Sequence, residues 1–123
     1  MPKLSIITIV YNNVRDIERT IQSVINQTYK KIEYIVIDGA STDGTLDVVN
    51  QYQDHISKIV SEPDKGIYDA MNKGLALATG DYILFMNSGD ELYDQNTVEA
   101  VYATAPWADI YYGETEMYND NWE

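Results

Sequence analysis

The chain has 123 residues, no cysteine and a net charge of −12 at neutral pH. That length suits one domain with one core, and the lack of cysteine removes disulfide frameworks and thiolate metal sites. The acidity argues against a DNA- or RNA-binding module, because the phosphate backbone would be repelled. All eight Lys and Arg lie at or before Lys73, whereas residues 74–123 carry ten acidic side chains and no basic one. An anionic ligand would need a metal ion or oriented backbone N–H groups to approach that half. No apolar run approaches the roughly 18 residues of a membrane span. The opening MPKLSIITIV has one lysine and no small-residue cleavage site, so it reads as a strand and not as a signal peptide.

In chain order, residues 4–10 form an apolar, β-branched run expected to be a buried strand. Asn12 and Asn13 follow as turn and cap. Val14, Ile17, Ile21, Val24 and Ile25 recur at helical spacing, which predicts an amphipathic helix over 14–26. A second buried strand is expected over 33–37. A turn-rich loop over 38–44 follows, with Thr42 or Asp43 able to cap the next helix. Leu46, Val48, Val49 and Tyr52 give that helix its apolar side. A short strand over 57–61 precedes a helix marked by Ile67, Tyr68, Met71, Leu75 and Ala78, with Gly80 as its stop. Residues 82–87 read as a fourth strand, 96–104 as a helix stopped by Pro106, and 109–112 as a fifth strand. Alternating strands and helices of this kind imply an α/β fold, a largely parallel sheet covered on both faces.

In such a sheet ligands gather at the carboxyl ends of the strands. Four polar loops fall there, over 8–12, 38–43, 61–65 and 87–90. Tyr11 leaves the first strand at that edge and can stack on a base. Asp38 ends a buried strand, where its carboxylate can accept from a base imide or a ribose hydroxyl, or can equally serve as a turn residue of DGASTDGT. Lys65, Asp69 and Asn72 share one face at i, i+4 and i+7. A lysine at a helix start opposes the macrodipole, which favours a ligand-facing role over a surface ion pair with Asp69. Asn87, Ser88, Gly89 and Asp90 end the fourth strand, and Glu91 and Asp94 follow. This acidic loop, expected to be flexible and solvated, suits Mg2+ or Mn2+, with ligand phosphate oxygens and water completing the shell. His55, the single histidine, reads as a solvated surface residue. The fingerprint G-x-G-x-x-G is absent after both early strands.

The stretches SIITIVYNNVRDIERTIQSVINQTYKKIEYIVIDGASTDGT and SEPDKGIYDAMNKGLALATGDYILFMNSGDEL resemble the family 2 glycosyltransferases, in a subgroup near bacterial colanic acid, capsular and exopolysaccharide enzymes. The resemblance runs in register over about residues 3–112. It implies a GT-A fold, a Rossmann-like α/β/α sandwich, and inverting transfer from a nucleotide diphosphate sugar, by family habit a UDP-sugar. By the same resemblance, Thr8, Val10 and Tyr11 meet the nucleoside, Asp38 reads the base, and Asp64 and Lys65 lie in a further donor-contact segment. Asn87, Ser88, Gly89 and Asp90 then fall on the D-x-D-like metal motif. There the chain departs from adjacent aspartates, so Asn87 or Ser88 would replace the ribose contact and Asp90 would hold the metal.

The family's general base comes from a later, acceptor-binding half. Glu114 and Glu116 fall too early for it, so the base is expected beyond residue 123. The chain then reads as a donor-binding half cut from a longer enzyme, with little transfer activity alone. The acceptor would be a saccharide or a lipid-linked acceptor, and the location cytoplasmic, at the inner membrane face if the acceptor is lipid-linked. Rival readings are a non-catalytic nucleotide-sugar-binding module and a nucleotidyltransferase. A phosphate loop after the first strand would favour the latter and is absent. A receiver-like domain would need an acidic pair where Tyr11, Asn12 and Asn13 stand.

Overall fold

The computed structural model describes residues 2–92 and 94–103. Four strands, β1 (Leu4–Val10), β2 (Ile32–Asp38), β3 (Lys58–Ser61) and β4 (Tyr82–Asn87), alternate with α1 (Ile17–Ile25), α2 (Thr45–Gln51), α3 (Ile67–Leu77) and α4 (Thr97–Ala103). All described pairings are parallel, in the order β3-β2-β1-β4. The expected fifth strand over 109–112 lies outside the described residues.

Every residue of β1 is buried. Its side chains alternate between two apolar layers, as strand pleating requires. Leu4, Ile6 and Val10 pack with Ile17, Ile21 and Val24 of α1, Val49 of α2 and Val98 of α4. Ile7 and Ile9 pack with Ile35, Ile37 and Ala70 on the α3 side. Among the described residues the result is three layers, with α3 alone on one face. There α3 lies so close that a Cβ on Gly74 would stand 2.5 Å from Ile7 Cγ2. Among the described residues, no helix is long and apolar enough to cross a membrane.

Two boundaries differ from the sequence expectation for physical reasons. The first helix begins at Ile17, not Val14, because side chains from another loop hold its predicted first turn. Asn13 N–H donates to Thr45 Oγ1 (3.0 Å) and Val14 N–H to Asp43 Oδ2 (3.1 Å), and Val14 stays 39% exposed. Gly80 is not the stop of α3, which ends at Leu77 with an extended Ala78 as its cap. Gly80 is needed for close approach, since a Cβ there would lie 2.6 Å from Ser5 Oγ and 2.7 Å from Ser5 N.

That approach belongs to a buried polar knot at the amino ends of the strands. Glu33 accepts from Ser5 Oγ (2.7 Å), Thr79 N–H (2.8 Å), Thr79 Oγ1 (3.1 Å) and Lys58 Nζ (3.1 Å). Burial alone would raise the Glu33 pKa, but the Thr79, Ser5 and Lys58 donors outweigh it and hold it at about 2. The folded value lies below the ordinary 4.5. The stabilisation is therefore complete above about pH 4.5 and is lost as pH falls through about 2. Glu33→Ala should cost about 3 kcal/mol at neutral pH, by stranding buried donors. Urea unfolding of wild type and Glu33→Gln checks the linkage. Their stability gap should shrink steadily as the pH falls from 4.5 towards 2, and a constant gap would refute it.

Candidate functional site

The chain runs from β1 outward through β2 to β3 and then returns to β4 on the other side of β1. The crevice beyond the carboxyl ends of β1 and β4 is therefore the switch point of the sheet, where open α/β folds bind ligands. Two hydrogen bonds fasten the neighbouring loops to the end of β1. Gly39 N–H donates to Val10 O (2.9 Å) and Ser88 N–H to Ile9 O (3.2 Å). Asn13 Nδ2 spans the crevice to Ser88 Oγ (2.9 Å).

On the β2 side, Tyr11, Gly39 and Asp64 converge from three loops. A Cβ on Gly39 would stand 2.9 Å from Asp64 Oδ2 and 3.4 Å from Tyr11 Cδ1. The Tyr11 ring is 62% exposed. Asp64 Oδ1 accepts from Gly66 N–H (3.1 Å). Only a residue without a side chain lets the ring and the carboxylate share that place.

Asp38 is fully buried and organises the same edge. Its Oδ1 accepts from Ser41 Oγ (2.6 Å), and its Oδ2 from Ser41 N–H (3.0 Å) and Ser61 Oγ (2.8 Å). Three of about four carboxylate acceptor positions are thus filled by the protein itself. These are the bonds of a turn residue, and they fix the loop that leaves β2. Asn12 (φ 49°) and Ala40 (φ 66°) take the left-handed conformation in the loops around it. Asn12 Oδ1 accepts from Thr42 N–H (2.8 Å), and Ser41 Oγ accepts from Asn12 N–H (2.8 Å). Asp43 stands one residue before the N-cap Gly44 of α2 and accepts from Thr45 Oγ1 (2.5 Å) and Thr45 N–H (3.0 Å). The Thr45 hydroxyl lowers the Asp43 pKa most; burial opposes it, and the Val14, Thr45 and Asp43 N–H groups add to the lowering.

Several expected site residues are placed differently. Thr8 is fully buried two residues in from the end of β1, and its hydroxyl shares a 2.8 Å hydrogen bond with Tyr34. Val10 is also buried, and its carbonyl serves Gly39. Lys65 lies ahead of α3, whose N-cap is Gly66 (φ 120°), so the shared helix face over 65–72 does not form as expected. Asp69 accepts from the Lys65 backbone N–H (2.9 Å) and faces Lys73 Nζ at 3.7 Å. Lys65 itself is exposed and joins no ion pair among the described residues. Asn72 is exposed in mid-helix, roughly 8 Å along the axis from the helix start. Lys73, which the sequence did not single out, ties the third loop to α3 through Pro63 O (2.9 Å) and Glu62 (3.0 Å).

The acidic loop is anchored, not loosely solvated. Asp90 is 4% exposed, and its Oδ2 accepts from Asn87 N–H (2.9 Å). Gly89 (φ 101°) makes the turn between them, and its N–H donates to buried Thr20 Oγ1 (2.7 Å). Glu91 pairs with Arg19 (2.7 Å), and Asp94 caps α4 by accepting from Asn96 N–H (2.8 Å). Among the described residues, no three His, Cys, Asp or Glu side chains are grouped to hold a metal. One buried carboxylate beside a glycine fits Mg2+ or Mn2+ only where ligand phosphate oxygens and water fill the rest of the shell.

Residues 5–123 match the profile of Glycosyl transferase family 2. The chain belongs to this family. It is 35% identical to the PGL/p-HBAD biosynthesis glycosyltransferase of Mycobacterium tuberculosis, over 98% of this chain and 49% of that protein. It is 41% identical to the putative glycosyltransferase EpsE of Bacillus subtilis, over 74% and 34% respectively. The chain thus spans at most about half the length of these curated relatives. The fold superposes on S. aureus TarS 1-349 in complex with UDP-GlcNAc with a TM-score of 0.75, at 27% identity, covering 82% of this chain and 30% of that one. It also superposes on the mannosyltransferase PcManGT from Pyrobaculum calidifontis, in complex with GDP-Man and Mn2+, with a TM-score of 0.76 at 26% identity, covering 85% and 33%. The GT-A fold implied by the family resemblance is thereby shown.

Ala40 holds a left-handed backbone without being glycine, a conformation that costs an L-residue roughly 1–2 kcal/mol. Ala40→Gly should therefore stabilise the chain, by about 0.5–1 kcal/mol once the extra entropy of unfolded glycine is set against it. Urea unfolding checks this, and a loss of stability would show that the Ala40 methyl makes a needed contact.

Proposed function

We propose that residues 1–123 are the nucleotide-sugar-binding half of an inverting family 2 glycosyltransferase acting in bacterial surface polysaccharide synthesis. The observation that carries this is the convergence of Tyr11, Gly39, Asp64 and the Asn87–Asp90 segment at the switch point of a family 2 chain. Tyr11 offers an exposed ring for stacking on a base. Among the described residues, Asp64 Oδ2 stands beside that ring and accepts no hydrogen bond, whereas Asp38 is already clipped by Ser41 and Ser61. Asp64 is therefore the better acceptor for base N–H groups, with Asp38 holding the edge in shape. Lys65, in no ion pair among the described residues, supplies a cation near the same loop. Asn87 and Ser88 would meet the ribose or the diphosphate, and Asp90 the metal.

Bound there, Mn2+ or Mg2+ would offset the charge on the departing diphosphate. Transfer itself needs a base to remove the proton of an acceptor hydroxyl. That base, with the acceptor-binding half, is assigned beyond residue 123, so the chain alone should turn over little. Solved relatives support the donor class, since one holds UDP-GlcNAc and another GDP-Man with Mn2+. The names of the mycobacterial and Bacillus relatives support a sugar-transfer role. A UDP-sugar donor, a saccharide or lipid-linked acceptor, and a cytoplasmic place at the inner membrane face complete the proposal.

Calorimetric titration with UDP, GDP, dTDP and CDP, with and without Mn2+, tests it. One nucleotide should bind in a metal-dependent way, and Asp90→Ala should weaken that binding at least about tenfold. Gly39→Ala should weaken the same nucleotide by about tenfold with or without metal, because the new methyl displaces Asp64 and Tyr11. Failure of every nucleotide to bind, both to the folded chain and to the chain extended by an acceptor half, would overturn the proposal.

A further inference from the structure

The loop that carries Asp90 leaves the sheet at Asn87 and is not held by strand pairing beyond Ser88. Its backbone groups are met instead by three polar side chains of α1 and of the turn just after it. Thr20 Oγ1 accepts from Gly89 N–H (2.7 Å). Ser23 Oγ accepts from Leu92 N–H (3.2 Å) while donating to Thr20 O (2.8 Å). Gln27 Nε2 donates to Asp94 O (2.7 Å) and Ser23 O (2.9 Å), and its Oε1 accepts from Val98 N–H (3.0 Å). Thr28 N–H adds a bond to Gln95 O (2.8 Å). Thr20 and Gln27 are 0% and 4% exposed. Positions 20, 23 and 27 stand at i, i+3 and i+7, so they follow one line along a helix. That line runs beside residues 89–92 and 94–98, and Leu92 and Val98 bury their apolar side chains in the same layer as Ile17, Ile21 and Val24.

We propose that this stripe makes α1 the ruler of the metal-bearing loop, with Thr20, Ser23 and Gln27 as positioning residues for Asp90. A buried N–H that loses its acceptor must move or find another. Removing the Thr20 hydroxyl therefore releases the turn one residue before Asp90 and leaves the nucleoside pocket of Tyr11, Gly39 and Asp64 untouched. The role of the loop in holding a metal rests on the function proposed above, but its dependence on α1 does not.

Two readouts on the whole chain separate these claims. Amide hydrogen exchange of residues 89–92 should speed up at least about tenfold in Thr20→Val, and that of 94–98 in Gln27→Met, with β1 and β2 amides unchanged. Thr20→Ser, which keeps the hydroxyl, should exchange like wild type. In calorimetry, Thr20→Val should weaken UDP binding in the presence of Mn2+ by about tenfold and leave metal-free UDP binding within twofold. Unchanged exchange over 89–92 in Thr20→Val overturns the positioning claim. So does an equal loss of metal-dependent and metal-free binding, which marks a general structural defect. If Asp90→Ala retains full metal-dependent binding, the metal assignment fails while the exchange results still decide the ruler. If Thr20→Val does not fold, Thr20→Ala and Gln27→Met carry the same comparison.

Discussion

The parallel pairing of β1 with β2 on one side and β4 on the other is the constraint on which the rest depends. Seven consecutive buried residues place it at the centre, with an apolar layer on each face. Because both neighbours run parallel to it, all three carboxyl ends open on the same edge. Because the chain reverses direction across the sheet at β1, the loops after β1 and β4 part there and leave a crevice. The backbone of β1 then sets the loop positions directly, through the Val10 and Ile9 carbonyls. The edge proposed to meet the donor thus follows from hydrophobic burial of one strand.

Beyond the strand ends, side chains replace the ladder. Asp38, Asp43, Asn12, Ser41 and Thr45 bond one another's backbones across two loops that no strand pairing joins. The acidic loop is treated in the same way by α1. Buried backbone groups must be paired somewhere, and short polar side chains are the partners that fit where strands have ended. Left-handed Asn12 and Ala40 mark where this network bends the chain most sharply, and such strain persists only where surroundings over-determine it.

Stability and site chemistry are kept at opposite ends of the sheet. The Glu33 knot closes the amino edge with a fully engaged carboxylate. At the carboxyl edge, the residues proposed to meet the donor are Asp64, Lys65 and the exposed Tyr11.

The sequence by itself determined the order of the four described strands and their helices, and the parallel sheet. Those follow from residue period and turn composition, which are local. It also marked Tyr11, Asp64 and Asp90 through the family resemblance. Only the tertiary structure decided that Thr8 is spent on Tyr34, that Asp38 is clipped by Ser41 and Ser61, and that Lys65 precedes its helix instead of opening it. Tertiary packing likewise exposed the parts played by Gly39, Lys73 and the Thr20, Ser23 and Gln27 stripe. A hydroxyl or a carboxylate has the same local signature whether it meets a ligand or a backbone N–H. Its partner is chosen by residues far along the chain, brought within about 3 Å only when the sheet has formed.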